Sequence, residues 1–171
     1  MLAHEIINVN NRNKMAGEIT LSGKDYILEI DTTTPITAAR GAAYNPILCE
    51  VSSDFNIETD EQAITNKCNN GWGSSNPGNS TFSFSGEFQA IDPTTGDPDA
   101  ASMDIIAGLA ATKQKFWIRR VLKSGLTGTP IYREGVVWIS SYTETAGTED
   151  PFTFTADFNG VGEPVLTAAT T

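Results

Sequence analysis

The sequence predicts a mainly β fold, an antiparallel β-sandwich or barrel with one flanking α-helix. Several runs alternate apolar and polar residues with the period of two that is typical of half-buried strands. A single stretch carries apolar residues at helical spacing instead. Segments rich in Gly, Pro, Asn, Ser and Thr separate these runs, as expected for antiparallel connections. Strands that dominate around one helix indicate a sheet with the helix packed on one side.

The first two predicted strands flank a polar turn. One strand begins after Gly23 and ends at the turn 31–35. The clearest strand is 47–57, where five of the six alternate residues that form one face are apolar: Ile47, Cys49, Val51, Phe55 and Ile57. The residues between them form a polar face: Glu50, Ser52, Asp54 and Asn56. We expect the first face to contact the core and the second to face water.

A third strand is predicted by Phe82, Phe84 and Phe88, which repeat with a period of two. Gly86 lies on the same face, where we expect a bulge or a close backbone contact. This strand is expected to pair with 47–57 in a long antiparallel ladder. The segment between them, 58–80, is rich in Asn, Gly and Ser and exceeds an ordinary hairpin turn, so we predict a long functional loop.

One helix is predicted at about 98–113. Asp97 can cap it, and Pro98 suits its first turn. Its apolar stripe consists of residues at helical spacing: Met103, Ile105, Ile106, Ala107, Leu109 and Ala110. Three further strands, 115–122, 130–142 and 152–158, are expected to form a meander. The chain thus divides into an N-terminal arm (1–17), a β domain (18–166) and a C-terminal tail (167–171).

Composition argues against several classes of partner. Eleven basic and twenty-one acidic residues give a net charge of −10, which opposes specific binding to nucleic acid. No apolar run approaches the roughly 20 residues of a membrane-spanning helix, and the polar N-terminus lacks a signal peptide, so we expect a soluble protein made in the cytoplasm. Cys49 and Cys68 have no metal-ligand spacing and are expected to be free thiols.

The residues for common enzyme chemistry are missing. The only histidine, His4, lies in the arm, which disfavours a Ser-His-Asp or Cys-His site. Paired carboxylates can hydrolyse glycosides, but the acidic cluster at 54–61 is better explained as a solvated strand end. The segment 92–97 lacks the ligand pattern of a calcium loop, and 71–78 lacks that of a phosphate-binding loop. We therefore expect no catalytic site, cofactor or metal.

Aromatic and basic residues leave alternatives open. Trp72 lies among Gly and Asn, where it either folds back on its own domain or anchors a protein interface. Trp117 and Trp138 are expected to pack within strands. Three arginines in strand patterns can form either intramolecular salt bridges or contacts between subunits: Arg119, Arg120 and Arg133.

The order of several motifs resembles that of the major tail tube proteins of long-tailed bacteriophages. The motifs are Ser53-Asp-Phe-Asn-Ile-Glu-Thr59, Ile64-Thr-Asn-Lys67, Asn70-Gly-Trp72, the strand 81–90, Asp99-Ala-Ala101, and the strands 135–141 and 152–159. The resemblance covers about 23–165. The segment 73–78, where relatives often continue with apolar residues, and the Asn-rich arm depart from the family pattern.

The resemblance implies an antiparallel β-sandwich or barrel that forms rings of six subunits, which stack into a tube through which DNA is ejected without specific binding. It also implies tape-measure, tail initiator and tail terminator proteins as partners, and a location in the virion tail after assembly in the host cytoplasm. On this basis the stacking contacts are expected at Asn66, Lys67, Asn70 and Trp72, and an acidic lumen at Glu50, Asp54 and Glu87. The alternative is a carbohydrate-binding or host-recognition β-sandwich module.

Overall fold

The computed structural model describes residues 25–47, 49–64, 74–90, 103–122, 132–148 and 150–167. Within these residues the chain forms seven strands and one helix. In chain order they are β1 (Tyr26–Asp31), β2 (Asn45–Pro46), β3 (Glu50–Ile64), β4 (Ser74–Gln89), α1 (Met103–Thr112), β5 (Phe116–Leu122), β6 (Tyr132–Thr145) and β7 (Thr153–Thr167).

All strands belong to one antiparallel sheet with the order β2-β1-β5-β6-β7-β4-β3. The sheet curls until β1 approaches β3, where the Leu28 N–H donates to Glu50 Oε2 at 2.7 Å. The link between β2 and β3 closes the seam, because the Ile47 N–H donates to the Leu28 carbonyl and Cys49 accepts from the Gln89 N–H, both at 2.9 Å. This partly closed barrel with one helix confirms the predicted fold class.

The core fills the inner face of the curled sheet. Five of its side chains are fully buried phenylalanines: Phe84, Phe88, Phe116, Phe154 and Phe158. Several of these rings contact each other, and Phe88 stacks on Phe154 with 5.0 Å between centroids. The period-two prediction for β4 is confirmed, as is the close contact at Gly86, where a Cβ would lie 2.5 Å from the Phe88 ring.

Helix α1 packs on the core through Ile106 and Leu109, with Met103 and Ala110 beside them. The prediction that Ile105 widens the buried stripe is wrong, because its side chain is 44% exposed. Successive helical residues are about 100° apart, so Ile105 turns away when Ile106 faces the core. The predicted cap at Asp97 and Pro98 lies outside the described residues.

A bulge overturns the predicted faces at the start of β3. Glu50 pairs with Phe88 and Ser52 pairs with Glu87, so Val51 has no partner and is 56% exposed. Residues directly opposite each other in a ladder point to the same side, so Glu50 shares the core side with Phe88. Cys49 is exposed at a positive φ of 52° rather than in the core. Period-two counting fails at Glu50 and Val51 because one extra residue exchanges their faces, whereas Ile47 is buried as predicted.

The predicted loop 58–80 is largely strand. β3 continues to Ile64 and β4 begins at Ser74, and the two pair from Glu50 and Phe88 to Ile64 and Ser74. Ile57 was expected in the core but is 45% exposed. The β4–β7 ladder ends at Ser83 and Asn159, in the row next to that of Ile57, and so leaves this side chain uncovered. The long ladder predicted between these strands is therefore confirmed, and it extends well beyond the predicted strand ends.

Phe82 is fixed by two glycines, and this predicts a steric effect. A Cβ at Gly135 or Gly160 would overlap the Phe82 ring. Gly160→Ala should therefore lower the free energy of unfolding by about 1–3 kcal/mol, measured by urea denaturation. Gly108→Ala on the exposed side of α1, where nothing lies within 4 Å, should instead stabilise by up to about 1 kcal/mol. If Phe82→Leu leaves the cost of Gly160→Ala unchanged, the steric explanation is wrong.

Candidate assembly interface

The β3–β4 hairpin extends beyond the body of the sheet. We call residues 58–64 of β3 and 74–81 of β4 the hairpin arm. Its two strands pair with each other, but the β4–β7 ladder stops at Ser83. Nearly all its described side chains are exposed, and a side-chain hydrogen bond of 2.8 Å joins Thr59 Oγ1 and Ser80 Oγ across it. The arm therefore projects from the core instead of contributing to it.

A two-stranded ribbon of this kind is marginally stable in water without a further surface to pack on. Its sequence does not supply one, because the hairpin arm as a whole contains mostly Ser, Asn, Gly and acidic residues. Pro77 opposite Glu61 lacks an N–H, and the ladder is irregular between Thr59 and Glu61. These features limit uncontrolled edge pairing.

Charge is divided unequally over the sheet. Strands β3, β4 and β7 carry eight acidic residues and no Lys or Arg: Glu50, Asp54, Glu58, Asp60, Glu61, Glu87, Asp157 and Glu163. In the described residues the basic side chains lie elsewhere, in the loop after β1, at the end of α1 and on β5 and β6. One half of the sheet is thus wholly anionic.

The polar face of this anionic half is continuous over three strands. Asp54 pairs with Ser85, and Ser85 pairs with Asp157, so these residues form one row across β3, β4 and β7. Glu87 lies two residues along β4 on the same face. The structure therefore brings together the lumen candidates Asp54 and Glu87 but not Glu50, whose carboxylate accepts the Leu28 N–H on the other side. Asp157 was missed, although it alternates with Phe154, Ala156 and Phe158.

The sequence did not decide whether three arginines contact their own subunit or a neighbour. In the structure all three make contacts within the subunit. Arg119 Nε donates to Glu29 Oε2 at 2.9 Å, and its guanidinium lies 4.0 Å from the Tyr44 ring centroid. Arg133 donates to the Tyr132 and Thr167 carbonyls. Arg120 stacks over the Tyr26 ring at 4.8 Å. These side chains thus tie β5 to β1 and β6 to the end of β7.

Two buried carboxylates fix the loop 32–44 against the sheet. Asp31 accepts six donors: the N–H and hydroxyl groups of Thr33 and Thr34, and the N–H groups of Ala42 and Ala43. Glu134 accepts the Gly41 N–H at 2.9 Å and pairs with Arg40 at 3.2 Å. Both carboxylate residues are fully buried. The loop is therefore held in one shape by the subunit itself, unlike the hairpin arm.

Burial, hydrogen bonds and a neighbouring carboxylate shift the pKa values of Asp31 and Tyr44. Burial alone would raise the pKa of Asp31, but the hydrogen bonds from Thr34, Ala43 and Thr33 hold that pKa well below its usual range. Burial raises the pKa of the Tyr44 phenol, and the neighbouring Glu134 carboxylate raises it further. Asp31 and Tyr44 therefore keep one protonation state, anionic and neutral respectively, throughout the neutral pH range.

Other predicted site residues are placed less completely. Asn66, Lys67, Asn70, Trp72 and Cys68 lie outside the described residues. Trp117 is buried, with its indole N–H donating to the Pro35 carbonyl at 3.2 Å, and Trp138 is half-buried opposite Asn159.

Within the described ranges no group of His, Cys, Asp and Glu could hold a metal ion. In the same part of the chain no helix is long and apolar enough to cross a membrane.

Comparison with solved structures identifies the fold. A chain of the SPP1 tail tube superposes with a TM-score of 0.60 at 15% identity, covering 84% of this chain and 77% of that one. The chain therefore has the tail tube fold. A chain from the tail of an empty gene transfer agent particle with C6 symmetry matches with a TM-score of 0.66 at 14% identity. A chain from the native gene transfer agent virion gives 0.64 at 13%.

The tail tube fold extends over nearly the whole chain. Each gene transfer agent chain is matched over 100% of its length and 87% of this chain. No protein-family model matches the sequence, and no curated protein matches it at a significant level. The likeness is therefore carried by strand order and curvature, with little identity between the side chains.

Proposed function

We propose that this protein is the tail tube subunit of a phage-like particle. Copies form hexameric rings that stack into a hollow tube, through which DNA is ejected without specific binding. Tape-measure, initiator and terminator proteins are its proposed partners, and it acts as a structural component of the virion tail rather than as an enzyme. The observation that carries the proposal is the likeness, over more than four fifths of this chain, to the SPP1 tail tube and the gene transfer agent tail.

The hairpin arm supports stacking as the mode of assembly. It projects from the sheet, its described side chains are exposed, and its two strands need an external surface. Its tip, with Asn66, Lys67, Asn70 and Trp72, is proposed to contact the next ring, where polar groups would surround one aromatic anchor. The loop 32–44, which is anchored to the buried carboxylates of Asp31 and Glu134, in contrast gives each subunit a rigid side against which a neighbour can pack.

The anionic face supports a role in DNA passage. Asp54, Glu87 and Asp157 lie on one open face without a basic residue on their strands. A surface of this charge repels phosphate and lets DNA slide without adhering. We propose that this face lines the lumen, with Asp157 replacing Glu50 in the set first predicted.

Charge reversal tests the lumen assignment. Asp54→Lys should permit tube formation but slow DNA ejection by about tenfold, since each added cation attracts a phosphate. The matched control is Asp104→Lys on α1, which packs on the opposite face of the sheet and should eject DNA at the normal rate. Ejection kinetics of particles carrying each variant give the comparison. Equal rates for Asp54→Lys and Asp104→Lys would exclude this face from the lumen.

Electron microscopy of the concentrated protein tests the function itself. We expect rings or tubes with sixfold symmetry, formed spontaneously or after addition of an initiator complex. Sedimentation that shows only monomers under all of these conditions would refute the proposal. Binding to a glycan array without any assembly would instead favour the carbohydrate-binding module.

A further inference from the structure

Strands β4 and β7 separate to form an open fork. They pair from Gln89 and Thr153 to Ser83 and Asn159, and the next pair in register would be Phe82 with Gly160. Instead β4 continues along β3, while β7 continues along β6 to Thr167. In the described residues, the facing edges of 74–82 and 160–167 have no ladder with each other. Two strand edges therefore face a common gap.

A bulge in β7 produces the fork. Glu134 pairs with Val165 and Val136 with Val161, so three residues of β7 lie opposite Gly135 alone. Gly162 within this bulge has a φ of +82°, a conformation that L side chains rarely adopt. The Phe82 ring fills the corner, since it lies against Gly135 and Gly160. The gap is thus set by the backbone and is a fixed feature of the subunit.

The gap has one apolar and one polar side. A groove of about 630 Å³ is lined on one side by Ile57, Phe82, Pro164 and Leu166, and Leu166 is 53% exposed. A second groove of about 340 Å³ shares Thr81, Phe82 and Gly160 with the first and adds the alternate residues Glu58, Ser83, Trp138 and Asn159. Alternate residues of a strand face opposite sides of a sheet, so the two grooves are the two faces of one slot. The slot suits an extended strand with alternating apolar and polar residues.

The N-terminal arm has the length to reach such a slot on another copy. Tyr26 pairs with Leu122, Val121 with Tyr132, and Tyr132 with Thr167, so β1 begins at the sheet end where β7 ends. These three strand spacings amount to about 14 Å. The seventeen residues from Val9 to Asp25 can extend over about 50 Å, far more than the chain's own fork requires.

Sequence and charge also match the slot. The stretch Ile7-Asn8-Val9-Asn10 alternates apolar and amide side chains. Residues 1–24 contain three basic residues and two acidic ones, a net charge of +1, so the rest of the chain carries −10 − 1 = −11. Glu163 on the apolar side and Glu58 on the polar side lie at the fork. The net positive charge of residues 1–24 therefore complements the two carboxylates at the fork.

We propose that the β4–β7 fork binds the N-terminal arm of a neighbouring copy as an added strand, with Ile7 and Val9 against Leu166 and Ile57. The added strand runs antiparallel to one side of the fork and parallel to the other, and supplies main-chain partners to both edges. Joining two different surfaces in this way is a head-to-tail contact, which suits rings and stacks. The inference rests on the proposed self-assembly, because it requires neighbouring copies.

Disulfide trapping between full-length chains tests the inference. In a Cys49→Ser, Cys68→Ser background, one preparation carries Val9→Cys and another Leu166→Cys. After mixing, assembly and mild oxidation, crosslinked dimers are measured on a non-reducing gel. The control pairs Val9→Cys with Thr112→Cys, an exposed position at the end of α1. We expect about tenfold more dimer with Leu166→Cys, because docking raises the local thiol concentration.

The outcomes separate this inference from the proposed function. If rings or tubes form but crosslinking is no higher than in the Thr112→Cys control, the contact between the N-terminal arm and the fork is refuted. The proposed tube function would then be unaffected. A chain carrying both Val9→Cys and Leu166→Cys, assembled with excess cysteine-free protein, detects docking within one copy. Crosslinking there, together with none between the mixed single variants, would also overturn the inference. Failure of every preparation to assemble would count against the function instead.

Discussion

Removal of the hairpin arm is expected to abolish tube assembly while the subunit still folds. Glu58 and Thr81 are direct partners in the β3–β4 ladder. Replacing 59–80 with Asn-Gly joins them by the two-residue turn that such pairs favour. The described residues lost are almost all exposed, so the melting temperature should change by only a few degrees. The protein concentration required for assembly should rise more than about 100-fold, roughly 2.8 kcal/mol.

Two further variants locate the effect within the arm. A Gly-Ser segment of equal length in place of 65–73 keeps both strands and removes the tip. Trp72→Ala should weaken stacking by about 2 kcal/mol if that side chain is the anchor. Light scattering against concentration gives the assembly threshold, and circular dichroism gives the melting temperature. Normal tubes without the arm would refute its role in stacking, and an unfolded monomer would show that the arm is structural.

Asp31→Asn should be among the most destabilising single changes in the subunit. The Asp31 carboxylate accepts six donors from the loop 32–44, and an amide would place its own NH2 against some of them. Buried donors that lose a charged acceptor should cost roughly 3 kcal/mol, which lowers the melting temperature by about 10 °C. Calorimetry at pH 7 gives this difference. The control is Asp60→Asn on the exposed hairpin arm, where little change is expected.

The same substitution should change the pH dependence of stability. The folded pKa of Asp31 is depressed, so its contribution is complete above the unfolded value of about 4 and decreases as pH falls below it. The difference in stability between wild type and Asp31→Asn should therefore be constant from pH 5 to 7 and become smaller in stronger acid. A gap that stays constant down to pH 2 would show that the charge of Asp31 does not stabilise the loop.

The sequence was sufficient to predict a strand and its buried side where local periodicity and packing agree. Phe82, Phe84 and Phe88 lie in a strand with one buried face, so their spacing identified both the strand and its core side. Period-two counting failed at Val51, because whether a residue is skipped in a ladder depends on a partner strand far along the chain. Composition failed at 58–64 and 74–80, where Ser, Asn and Gly suggest a loop but cross-strand pairing maintains the hairpin.

Prediction from the sequence has the same limit for the candidate lumen face and for the β4–β7 fork. Asp54 and Glu87 were correctly placed on one polar face, since alternation depends only on local geometry. Asp157 joins them through the β4–β7 ladder, which spans more than seventy residues of sequence and leaves no local signal. The fork between β4 and β7 was equally invisible, because it arises where one ladder ends and a bulge at Gly162 diverts the other strand.

The unequal distribution of charge over the sheet gives each subunit an electric dipole. Its negative pole lies on β3, β4 and β7, whereas β5 and β6 together are nearly neutral, with three arginines and two glutamates: Arg119, Arg120, Arg133, Glu134 and Glu144. Two such dipoles attract when they approach head to tail and repel when like poles meet. In the proposed ring assembly this favours head-to-tail encounters between subunits, and added salt should weaken that orientational preference while it also screens the repulsion between subunits of net charge −10.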